Sequence, residues 1–168
     1  EYPKIQNLAK QAGAEIHWGD EMGIRSDDQI GRTYGEVGKT PVVKISGKRF
    51  SSNMISTITN RGKLRFMVFK NRFTSEVFID FLKTLVKGVK HKIFIIVVGH
   101  PVHKSKKVKT WLEENKRHIE MFLLPAYSPE LNPDEYLNQD IKSYSRKRRP
   151  ENQAELVNNL RTYLKSNQ

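Results

Sequence analysis

The chain has 168 residues, with 30 Lys and Arg against 18 Asp and Glu, giving a formal net charge of +12. That length holds one domain with a proper core, too little for two ordinary ones. The absence of cysteine excludes a disulfide scaffold, a thiolate metal site and a cysteine nucleophile, and no apolar run reaches the ~18 residues of a membrane-spanning helix.

In chain order, residues 3–13 open on a proline suited to a first helical turn and end at Gly13, which predicts a short helix. From Ala14 to Asp20, Ile16 and Trp18 alternate with Glu15 and His17, the period of a strand. Gly19, Asp20 and Glu21 are expected to close it, and residues 22–41, rich in Gly, Asp and Thr, to form a long irregular loop. Three β-rich stretches follow, Val42–Ser46, Phe50–Thr59 and Leu64–Lys70, with hairpin turns at Gly47-Lys48 and Asn60–Lys63. Thr74–Lys87 changes to a helical period, with Val77, Phe78, Phe81, Leu82, Leu85 and Val86 on one stripe. Ile93–Val98 is a β-branched apolar run, the mark of a strand buried on both faces. Lys104–Lys116 predicts a basic helix, Ile119–Leu124 a short strand, and 125–134 a proline-interrupted connection. Glu135–Arg149 and Asn152–Lys165 predict two helices broken at Pro150. The order is that of a single α/β domain over residues 1–168 with a mixed sheet, neither a bundle nor a sandwich.

A surplus of +12 suits an anionic partner: nucleic acid first, an anionic membrane second, an unspecialised basic surface as the bland alternative. Arg146-Lys147-Arg148-Arg149 is the densest charge block, fitting either a phosphate contact or a solvated helix end, where cations also suit the dipole. Phosphodiester chemistry with two divalent cations needs carboxylates converging from separate elements. Asp20 at the end of the first strand and Glu135 at the start of a helix are candidates, and both also read as ordinary capping acids. The buried strand 93–98 ends where another such acid belongs, and that residue is Val98. His100 and His103 fit ligands or packing residues, and no serine has a convincing His/Asp arrangement for acyl transfer.

Two strings carry a resemblance. Ile96-Val97-Val98-Gly99-His100-Pro101-Val102-His103-Lys104-Ser105 resembles the second catalytic block of mariner-type DDE transposases, in their bacterial insertion-sequence branch. Leu124-Pro125-Ala126-Tyr127-Ser128-Pro129-Glu130-Leu131-Asn132-Pro133-Asp134-Glu135-Tyr136-Leu137 resembles the third block, and Trp18-Gly19-Asp20-Glu21 the first. The resemblance implies an RNase H-like fold, a mixed five-stranded sheet flanked by helices. It also implies Mg2+- or Mn2+-dependent cleavage of transposon ends at a two-metal site, then strand transfer into target DNA.

Carried over by position, Asp20 and Glu135 become the first and third metal-binding acids, while His103, Asn132 and Pro133 support the motifs. Lys104, Lys106, Lys107 and Lys109, with Arg146, Lys147, Arg148 and Arg149, become the DNA-gripping cations, both clusters leaving from the site. The resemblance implies double-stranded DNA as partner, no membrane, a homodimer, and a cytoplasmic, nucleoid-associated address. Val98 departs from it, standing where the family has the second catalytic aspartate, so impaired chemistry is expected. The family's N-terminal helix-turn-helix region is expected to be absent from this chain. The competing reading is a DNA-binding protein that keeps the RNase H-like fold without the reaction.

Overall fold

The computed structural model describes residues 2–27, 34–42, 48–124 and 132–167. Five helices and five strands are found among them: α1 (Tyr2–Ala12), β1 (Glu15–Arg25), β2 (Ser51–Thr59), β3 (Leu64–Phe69), α2 (Ser75–Lys87), β4 (Ile93–Val97), α3 (Lys106–Glu114), β5 (Ile119–Leu123), α4 (Asp134–Arg148) and α5 (Gln153–Ser166). The strands form one sheet in the order β3-β2-β1-β4-β5. β1–β2 and β2–β3 pair antiparallel, β1–β4 and β4–β5 parallel, as expected of a mixed α/β sheet.

Local chemistry sets the boundaries. Thr74, Ser105 and Asn152 cap α2, α3 and α5, each side-chain oxygen accepting the backbone N–H three residues on. Gly62 turns the β2–β3 hairpin at φ +78, a left-handed value that glycine tolerates. α4 ends with Arg149 at φ 48, directly before Pro150, which cannot extend a helix.

The sheet's two faces are covered by different helices. On one face Phe78, Phe81, Leu82 and Leu85 of α2 and Val108 of α3 pack on Ile93, Ile95, Val97 and Ile119. On the other, α1 covers Ile16, Trp18, Phe94 and Ile96, while α4 and α5 cover Met22, Ile24, Met54 and Leu64. β4 is buried on both faces, as its apolar run predicts. Among the described residues, no helix is long and apolar enough to cross a membrane.

Two expectations need correction. β1 does not close at Asp20; it runs on to Arg25, because buried Met22 and Ile24 continue the alternation that the expected 22–41 loop ignored. Asp20 therefore sits in the middle of a long strand. Val42 is exposed and belongs to no strand, and the rest of the expected Val42–Ser46 strand lies outside the described residues.

Gly19 is where β1 is squeezed hardest. A Cβ there would lie 3.0 Å from Thr57 Cγ2 on β2 and 3.3 Å from Val97 Cγ1 on β4. Gly19→Ala should therefore lower stability by about 1–3 kcal/mol through overpacking. Urea unfolding checks this, and Thr57→Ser in the same chain should recover part of the loss.

Candidate functional site

The register brings the site together. β1 pairs with β4 through Gly19 and Val97, so the next residues on each, Asp20 and Val98, stand level just past the end of β4. Alternation puts both on the face carrying Trp18 and Ile96, which α1 and α4 overlie. The first turn of α4 delivers Glu135 to the same place. Its negative charge raises the Asp20 pKa, after the larger effect of burial.

Asp20 is held from two sides: Oδ1 accepts the Glu21 backbone N–H at 2.9 Å and Oδ2 accepts Asn138 Nδ2–H at 2.9 Å. Those bonds and the Lys142 charge pull its pKa down, yet burial and Glu135 leave it pushed up to about 6. Beside it Asp134 is 0% exposed, its pKa pushed up to about 7, chiefly by burial. Asp134 Oδ2 accepts the Ser56 hydroxyl at 2.8 Å, while its buried Oδ1 makes no hydrogen bond among the described residues.

The motif residues hold α4 in place. Pro133 occupies the N-cap position with φ −63, ready for a first turn, but offers no side-chain cap. Asn132 supplies it: Oδ1 accepts the Asp134 N–H at 3.1 Å and Nδ2 donates to the Gly19 carbonyl at 3.3 Å.

At the end of β4, the Val98 carbonyl accepts the His100 N–H at 2.8 Å and His103 Nδ1–H at 2.7 Å. His103 is buried against Phe78, ring centroids 4.6 Å apart, and burial pushes its pKa down to about 4. Its Nε2 lies 3.8 Å from Glu21 Oε2, too far for a hydrogen bond, and neither atom has a hydrogen-bond partner among the described residues. Burial first, then the Asp20 charge, lifts Glu21 to about 7. His103 thus supports residue 98 from the opposite face of the sheet.

The expected cations do not all gather here. Lys104 passes over Gly99, beside residue 98. Lys106 is exposed on α3, Lys107 pairs with Glu76 of α2, and Lys109 lines a surface cavity with Lys92 and Lys116 at the β5 edge. Arg146, Lys147, Arg148 and Arg149 are exposed at the far end of α4, roughly 16–21 Å from Glu135 at 1.5 Å per residue. Lys142, which the sequence reading missed, acts on Asp20 directly. Asn138 was also missed, although Glu135, Asn138 and Lys142 follow i, i+3, i+7 spacing on one helix face. Ser56 carries no sequence signal, for it meets Asp134 across 78 positions.

Raised carboxylates and an orphaned carboxylate oxygen suit a hard divalent cation, which takes oxygen ligands. Asp20 and Glu135 have carboxylate oxygens that could serve as such ligands, and the isopropyl group of Val98 has none. Among the described residues no group of three or more His, Cys, Asp or Glu is placed to hold a metal ion. Among the described residues the side chains fit part of the implied two-metal site and lack its second acid.

Comparison with known proteins gives three results. The sequence model of the DDE superfamily endonuclease family matches residues 15–157. The chain is 28% identical over 142 residues to the insertion element IS630 uncharacterized 39 kDa protein of Shigella sonnei, covering 82% of this chain and 41% of that protein. In structure it is similar to the Mos1 transposase paired-end complex with left transposon end (TM-score 0.73, 15% identity, 98% of this chain and 52% of that one). It is likewise similar to the Mos1 transposase catalytic domain with Raltegravir and Mn (TM-score 0.65, 14% identity, 98% and 78%). Those likenesses show the fold, the RNase H-like arrangement expected. The chain spans about half or less of the IS630 protein and of the Mos1 chain in the paired-end complex.

His103 gives a pH test. Its folded pKa of about 4 lies below the ordinary histidine value of 6.5. The unfolded chain therefore takes up a proton first, and stability present above pH 6.5 is lost as pH falls toward 4. His103→Asn keeps a donor for the Val98 carbonyl and removes the titration. Between pH 7 and pH 4 it should lose about 2–3 kcal/mol less stability than the parent chain, read by urea unfolding at each pH.

Proposed function

The chain belongs to the DDE superfamily endonuclease family, and from that premise we propose that it is the catalytic domain of a bacterial insertion-sequence transposase. Its substrates are double-stranded transposon ends and target DNA, its reactions metal-dependent end cleavage and strand transfer, and its setting the bacterial nucleoid. The acting form is a homodimer. One observation carries the reading: the parallel pairing of Gly19 with Val97 sets Asp20 on β1 beside residue 98, just past the end of β4, while α4 brings the Glu135 charge onto Asp20.

Each neighbouring residue has a task in this scheme. Asp20 and Glu135 offer the oxygens that hold Mg2+ or Mn2+, the latter ion being bound by the Mos1 catalytic domain. When bound, such a cation polarises the phosphodiester and makes water or a 3′-hydroxyl a better nucleophile. The Glu21 N–H and Asn138 fix the two oxygens of Asp20, which removes rotamer freedom that metal binding would otherwise cost. Lys104 and Lys142 flank the acids and attract the phosphate backbone, and Arg146, Lys147, Arg148 and Arg149 extend the cationic track along α4.

Val98 stands where this scheme needs its second acid, so the chain as written is a weak or silent nuclease. That residue also favours a second reading, a DNA-binding protein that keeps the fold and cationic surface without the reaction. Nicking of supercoiled DNA with Mn2+ separates the two. The parent chain should nick little or not at all, and Val98→Asp should raise the rate at least about tenfold. A metal contributes several kcal/mol to such a transition state, and each 1.4 kcal/mol is tenfold. Glu135→Gln in that background should abolish nicking and leave DNA retention intact. If Val98→Asp restores neither metal binding nor nicking, residue 98 is not the second acid position and the DNA-binding reading takes over.

DNA binding itself should be steeply salt-dependent. Replacing Arg146, Lys147 and Arg148 together by Ala should flatten the slope of log K against log salt. The expected change is about 0.9 for every phosphate contact removed, measured by fluorescence anisotropy on duplex DNA.

A further inference from the structure

Asp134 immediately precedes Glu135, yet it faces away from solvent: the residue is 0% exposed and its Oδ2 is spent on the Ser56 hydroxyl, itself fully buried on β2. Ser56 is the antiparallel partner of Asp20. The bond therefore joins the first turn of α4 to the strand beside Asp20, one residue from Glu135.

Two other side-chain hydrogen bonds cross the same gap among the described residues, and the Asp20 backbone N–H also acts on the Asp134 carboxylate. Asn132 Nδ2 donates to the Gly19 carbonyl, and Asn138 Nδ2 donates to Asp20 itself. Asn132 acts before the helix starts and Asn138 one turn in, so Asp134–Ser56 is the contact fixed within the turn that carries Glu135. A carboxylate one residue along a helix points about 100° away from its neighbour. Anchoring Asp134 into the sheet thus sets the direction in which Glu135 leaves the helix.

We infer that the Asp134–Ser56 hydrogen bond is a positioning latch, which aims Glu135 at Asp20 so that the two carboxylates can share a divalent cation. The inference rests on the metal-site reading above and deepens it. Asp134 and Ser56 act through Glu135, as outer partners that orient metal ligands do in other sites.

The test uses the 168-residue chain and its Val98→Asp form, with variants compared after circular dichroism confirms folding. Mn2+ affinity is read by titration calorimetry, and amide hydrogen exchange over residues 132–138 reads the latch without metal. Ser56→Ala and Asp134→Ala should each weaken Mn2+ binding by about tenfold or more, and the double variant should bind no worse than the weaker single one. Exchange across 132–138 should quicken in all three. Asp134→Asn retains an oxygen for the Ser56 hydroxyl, so its affinity should stay within about threefold of the parent and its exchange should be unchanged.

Equal losses in Asp134→Asn and Asp134→Ala would overturn the latch, because the charge itself would then be what Mn2+ uses. Ser56→Ala binding and exchanging like the parent would overturn it as well. Ser56→Ala, the mildest change, keeps the test decisive should Asp134→Ala fail to fold. Glu135→Gln is the control on the underlying reading. If it leaves Mn2+ affinity untouched, the metal site is misassigned and the positioning role falls with it, whatever the exchange data show.

Discussion

Burying Asp134 completely obliges the first turn of α4 to find a hydrogen-bond donor in the sheet, and Ser56 on β2 provides it. Much of the site's geometry follows from that obligation. With α4 fixed at its N-terminus, Glu135, Asn138 and Lys142 come to lie along one helix face above Asp20. Further along, Ile141 drops into the cluster formed with Leu156, Leu160 and Leu164 of α5. The polar end of α4 sets direction, and the apolar remainder supplies the adhesion.

The same arrangement carries an electrostatic cost. Asp20 and Asp134 are pushed up to about 6 and about 7 because burial disfavours their charged forms, with neighbouring carboxylates adding to the effect. Glu21 suffers the same on the opposite face, where its neighbour among the described residues is His103, whose pKa burial pushes down to about 4. A core optimised only for stability would not place three acids along this stretch. Perturbed carboxylates gathered on neighbouring elements instead fit the proposed site for a cation.

What the sequence made legible were features written in short windows. The apolar run 93–98, the stripe of α2 and the strings around Val98 and Glu135 all report local periodicity or local motif, and the fold expected from them is the one found. β1 was cut short because Glu21 and Gly23 masked a period that Met22 and Ile24 continued. The partners of the acids were harder. Asn138 could have been found by helical spacing, but Ser56 becomes relevant only once β2 is paired with β1. The cations show the converse failure: Lys107 and Lys109 look like one cluster with Lys104 along the chain, but α3 turns them toward Glu76 and the β5 edge.

Val98 ties these strands of argument together. Its carbonyl still accepts two hydrogen bonds from the loop that follows, one of them from His103, whose ring is locked against Phe78. That backbone device serves whatever side chain residue 98 carries, since it uses only the main chain. If the proposed site is right, a valine at the end of an Ile- and Val-rich strand spares the fold one desolvated carboxylate beside Asp20 and the repulsion it would add. On the proposed reading, the substitution that damages the chemistry is one the fold accepts easily. Selection on folding or on DNA binding alone would therefore not remove it, and the sheet, the α4 latch and the cationic surface persist with or without the reaction they surround.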